Sequence, residues 1–143
     1  VNELGWRTGI SLLAACIIGL AGSFPVRAVE LDINSAFAAG KTRFEENCGI
    51  CHGIDGKGAG AFADILNVDP PDLTILTRSN NGYFPFTDIY NAIDGRNVPL
   101  AHGREGMPIW GDRYKQQVSD GSETLVRGRI LELILYIQSL QAY

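Results

Sequence analysis

Apolar residues recur at helical spacing near the end of the chain, where Leu125, Ile130, Leu133, Ile134, Ile137 and Leu140 predict a helix from about Ser122 to Gln141 opening after Asp120-Gly121. A second amphipathic pattern runs from Ser35 to Asn47. It sets Phe37, Gly40 and Phe44 on one side against Lys41, Glu45 and Glu46, with Ser35 as the expected N-cap. Between these two the pattern is broken. GIDGKGAG after His52 reads as loop, Ala61 to Leu66 as a short helix, and Pro70-Pro71 as a stop. Asp72-Leu73-Thr74 opens another short helix, SNNGYFPF from Ser79 is turn chemistry mixed with aromatics, and Thr87 caps a helix through Asp94. A loop from Gly95 to Gly106 then delivers Met107-Pro108-Ile109-Trp110-Gly111. No strand alternation outcompetes these helices and no repeat is present, so the expected fold is all-α.

The first segment has a different character. After Arg7 comes an apolar run from Ile10 to Leu20, then the small-x-small pattern Val26-Arg27-Ala28 ahead of Glu30 and Asp32. This predicts an export signal over residues 1–28, cleaved after Ala28, followed by one domain over residues 29–143. An uncleaved membrane anchor over Gly9 to Phe24 and a lipoprotein box ending at Cys16 are the rival readings. Removing the leader takes the net charge from −4 to −5, a surface that repels phosphate backbones and argues against a nucleic-acid partner. Seventeen glycines are many for an all-helical chain and imply long loops in need of something to pack against.

Without the leader only Cys48 and Cys51 remain, in the order Cys48-Gly49-Ile50-Cys51-His52. Cysteines at i and i+3 near a helix end share a face one turn apart, so two thiols reach two vinyl groups on one side of a porphyrin. The next residue then sets an imidazole over the iron, which is the pattern of c-type haem attachment. A thioredoxin-like pair needs a strand before the motif, and structural zinc needs about four ligands, for which only Cys48, Cys51, His52 and His102 are at hand. A simple structural thiol pair is the third alternative. For the sixth iron position the candidates are Met107, the chain's one methionine, 55 residues after His52 and followed by a proline, and His102 on the same loop. A thioether suits a six-coordinate, high-potential site, whereas bis-histidine ligation lowers the potential.

With these motifs the chain resembles class I c-type cytochromes, the bacterial monohaem cytochromes c, over about Ser35 to Gln141. Gly40 and Phe44 on the first helix and Leu133 and Tyr136 on the last match the family's helix crossing, and GMPIWG is similar to its methionine loop. The resemblance implies a small helical domain wrapped around one covalent haem c held by Cys48 and Cys51, with His52 and Met107 as iron ligands. It implies that a proline carbonyl, from Pro70 or Pro71, orients His52, and Pro71 is carried forward as the candidate. Trp110, Arg96 and Tyr83 are the candidate donors to the haem propionates, Trp110 foremost. The implied function is outer-sphere electron transfer, not catalysis, in an exported periplasmic chain. The partners would be a quinol-oxidising complex, a dehydrogenase or a terminal oxidase, with membrane contact only through the partner or an uncleaved leader. The expected contact is the apolar edge at Gly49, Ile50, Pro108 and Ile109, with Arg104, Arg113 and Lys115 as a candidate basic rim. A permanently bound haem subunit of a membrane oxidoreductase, or a haem enzyme or sensor with labile Met107, are the other function classes.

Overall fold

The computed structural model describes residues 32–97 and 106–142. The expected leader, Cys16, His102 and Arg104 lie outside the described residues. Among the described residues six α-helices follow in order: α1 Ile33–Asn47, α2 Gly49–His52, α3 Leu76–Ser79, α4 Phe86–Asp94, α5 Trp110–Gln116 and α6 Glu123–Ser139, with one 3₁₀ turn at Ala63–Ile65. Among the described residues there is no strand, and no helix is long and apolar enough to cross a membrane.

The architecture rests on α1 crossing α6. Gly40 faces the α6 backbone at Glu132, where a Cβ would overlap the carbonyl, so the two helices approach as only glycine allows. Phe44 and Leu133 are fully buried beside this contact, and the Tyr136 ring lies 5.2 Å from Phe44 and 5.6 Å from Phe37, the latter edge-on. Aromatic pairs at this spacing add to simple area burial. Arg43 Nε donates to Glu132 Oε2 at 3.0 Å and fixes the crossing at its rim. Helices α4 and α5 pack on the other side of α6 and bring Ile89, Ile93, Trp110 and Tyr114 into the same core as Val126, Ile130 and Ile134.

Several elements differ locally from the sequence expectation. Helix α1 is capped by Asp32, whose Oδ1 accepts from Asn34 N–H at 3.0 Å, while Ser35 sits in the first turn and donates back to Asp32 O. Thr87 lies inside α4, which starts one residue earlier behind Pro85. Leu125 is exposed and Val126 takes the core position, because the buried stripe of α6 runs through Val126, Ile130, Leu133 and Ile137, from which Leu125 is turned away by one residue. Helix α5 was not expected: it is seven residues long and contains a glycine, too short for periodicity to register.

The C-terminus is tied down by one side chain. Gln141 is buried; its Oε1 accepts from Thr77 N–H at 2.9 Å and its Nε2 donates to Leu73 O at 2.6 Å and Ile137 O at 3.0 Å. Ala142 N–H adds a bond to Thr74 O at 2.7 Å, so the end of α6 closes over the segment that opens α3.

Candidate haem site

Cys48 ends α1 and begins α2, and its carbonyl accepts from both Cys51 N–H at 3.1 Å and His52 N–H at 2.9 Å. That single turn sets the two half-buried cysteines one above the other, both unpaired thiols. The chain then folds back along the motif: Gly58 N–H donates to His52 O at 2.7 Å, Gly60 N–H to Cys51 O at 3.0 Å and Phe62 N–H to Ile50 O at 2.9 Å. Gly60 lies so close that a Cβ would overlap the Ile50 and Cys51 carbonyls, which explains a glycine in this return strand of loop.

Burial, and Cys51 beside it, push the Cys48 thiol up to about 12, so at neutral pH it is a protonated thiol. Among the described residues no cluster of three or more His, Cys, Asp or Glu side chains is placed to hold a metal ion directly.

His52 is buried, and its Nδ1 faces Pro71 O at 3.3 Å. The acceptor is thus Pro71 and not Pro70. A carbonyl accepts only from N–H, so Nδ1 carries the proton and Nε2 keeps the lone pair of the neutral ring. Burial lowers the imidazole's affinity for a proton, opposed in part by the Pro71 bond, and the ring is held in the form that binds metal.

Met107 is half-buried and packs against the same hydrophobic core as Cys48. Both residues thus touch the one core, although they lie far apart in sequence. Trp110 is buried in that core, with the Tyr114 ring at 5.7 Å and the Arg113 guanidinium 5.1 Å over its face. Tyr83, expected at a propionate, is 77% exposed; Asn81 and Gly82 take left-handed backbone and turn it outward. Arg96, expected in the same role, engages carboxylates: Nε donates to Asp94 Oδ1 at 2.6 Å and Nη1 to both oxygens of Glu123 at 2.9 and 3.0 Å. Lys115 Nζ also reaches Glu123, at 2.7 Å. This chain of charges ties α4, α5 and α6 together; of the candidate basic rim, Lys115 is paired here and Arg113 lies over Trp110.

Two residues missed in the sequence complete the region. The hydroxyls of Tyr114 and Thr77 are the buried side-chain polar atoms, among the described residues, that have no hydrogen-bond partner. An orphaned buried hydroxyl costs about 1–3 kcal/mol, which a folded chain seldom tolerates unless another group answers it. Tyr114 and Cys48 share one core, so a group joined to Cys48 that carries a hydrogen-bond acceptor would answer that hydroxyl. The two cysteines one turn apart, the oriented imidazole, the thioether and the orphaned hydroxyl all fit covalent haem.

No curated protein and no solved structure matches the chain significantly. The family model for cytochrome c matches residues 37–112, just over half of the chain, from Phe37 within α1 through the Cys-x-x-Cys-His turn and Met107. The chain belongs to the cytochrome c family, all-α electron carriers with covalent haem c, attached here at Cys48 and Cys51.

Proposed function

We propose that this protein is a monohaem cytochrome that passes single electrons between larger redox proteins as a diffusible, exported carrier, in which His52 and Met107 would hold the haem iron. The observation that carries the reading is the buried imidazole of the Cys-x-x-Cys-His turn, oriented by Pro71, together with a half-buried thioether that packs, like Cys48, against the core. Bound haem supplies the one-electron couple. His52 contributes its Nε2 lone pair, with Pro71 keeping the ring from rotating and raising its basicity. Met107 contributes a soft sulfur, which favours the reduced state and a high potential. With both positions filled by side chains, no site is left for oxygen or a substrate, and the packed core resists rearrangement when the charge changes by one.

The test is Met107→Ala in haem-loaded protein. The reduced wild type refuses carbon monoxide, and its ferric form shows the weak thioether-to-iron charge-transfer band. The variant binds carbon monoxide, loses the band and drops in potential by on the order of 0.1 V, within the range that axial ligands control. His102→Ala changes none of these. A wild type that binds carbon monoxide at neutral pH defeats the reading. Size-exclusion of the native protein decides between its forms: a monomer supports a diffusible carrier, and stable co-elution with a larger enzyme supports a bound subunit.

A further inference from the structure

The surface around the attachment turn differs from the rest of the molecule in two ways at once. Between residues 45 and 69 stand Glu45, Glu46, Asp55, Asp64 and Asp69 against one base, Lys57. That is a net −4, equal to the charge of the whole chain, so everything outside this stretch balances to zero. The same stretch exposes large apolar side chains: Ile50 at 43%, Ile54 at 75% and Phe62 at 49%, with Ile65 and Val68 further along. The two properties meet in space, because Glu45, Glu46, Ile50 and Ile54 line one shallow open depression of about 440 Å³. The Phe62 N–H bond to Ile50 O holds Phe62 at its edge.

An exposed apolar centre beside an acidic rim is the complement of an apolar centre beside a basic rim. A second copy of this chain would bring like charge against like and is disfavoured. Ile50 lies between the two haem-bearing cysteines, so whatever docks here sits at the attachment point.

We infer that this face, centred on Ile50, Ile54 and Phe62 and rimmed by Glu45 and Glu46, docks a partner protein with a lysine- and arginine-rimmed apolar patch, and that electrons cross there. The inference rests on the carrier reading above and reverses the basic rim expected from sequence. One electron moves per encounter, with the partner's own redox centre as its one-electron donor or acceptor, and no proton or group is transferred.

Stopped-flow oxidation of the reduced holoprotein tests it with two one-electron reagents of opposite charge, the tris(phenanthroline)cobalt(III) cation and the ferricyanide anion. With the wild type, added salt slows the cobalt reaction and speeds the ferricyanide reaction. At low salt the double variant Glu45→Lys/Glu46→Lys slows the cobalt reaction by about threefold or more and speeds ferricyanide comparably, as close charges steer an encounter. Asp88→Lys/Asp120→Lys, which makes the same change in net charge elsewhere, leaves both rates nearly unchanged. A synthetic helical peptide with leucines along one face and flanking lysines reads the apolar centre. It inhibits the cobalt reaction of the wild type, and Ile54→Ser relieves that inhibition. Equal effects from the two double variants, or a peptide without effect, overturn the docking face while leaving the carrier reading intact. A haem that neither reagent oxidises overturns the carrier reading itself.

Discussion

The carbonyl of Glu132 occupies the space into which a side chain on residue 40 would grow. Gly40→Ala therefore forces α1 away from α6 and opens the contact that buries Phe44 and Leu133. The expected loss is about 3 kcal/mol, at the upper end for overpacking, because the obstacle is backbone and cannot swing aside. Gly128→Ala, on α6 with no atom near its would-be Cβ, is the control and gains about 0.5–1 kcal/mol from helix propensity. Denaturant titration of the two variants checks both.

Gln141 closes the C-terminal end by answering Thr77 N–H and Leu73 O. Gln141→Leu keeps the volume and leaves two backbone groups without partners, at a cost of about 2 kcal/mol. Amide exchange locates the damage: Thr77 N–H loses protection, whereas the α1–α6 crossing keeps it until global unfolding.

The fold's main contact was legible in the sequence because Gly40, Phe44, Leu133 and Tyr136 stand at helical spacing on long helices. The attachment turn was legible because covalent chemistry fixes residue types and spacing together. What was not legible depended on relations across the chain. Arg96 and Tyr83 sit in loops whose direction no local pattern encodes, and the structure sends one to Glu123 and the other to solvent. Tyr114 looked like any surface aromatic because α5 is two turns long, although an i,i+4 spacing from Trp110 was available as a signal. Gln141 is polar and near the end, where exposure is the default expectation, and only the folded geometry reveals its buried role.

For Tyr114 the decisive comparison is between two states of one variant. Without haem, Tyr114→Phe removes a buried hydroxyl that nothing satisfies, so it is neutral or slightly stabilising. If bound haem offers the hydroxyl an acceptor, the same change in the haem-loaded protein costs about 1 kcal/mol. Thermal unfolding of apo and holo forms reads the difference, and equal effects in both show that haem does not answer this hydroxyl.

Acid weakens the link between α4, α5 and α6. Lys115 first, then Arg96, hold the Glu123 carboxyl below its usual 4.5. A depressed carboxylate stabilises the fold above its unfolded pKa, and that contribution is lost as pH falls through the lower, folded value. Stability therefore declines below about pH 4.5 more steeply in the wild type than in Glu123→Gln. Melting curves between pH 3 and pH 6 check this, and parallel curves contradict it.

The pairing of Arg43 with Glu132 spans 89 positions, and Gln141 makes the final closure. During synthesis the cysteine turn thus leaves the ribosome long before the helix that covers its flank exists. Such distant partners meet slowly. A domain held by bonds between its two ends therefore completes its fold only once its last helix is available.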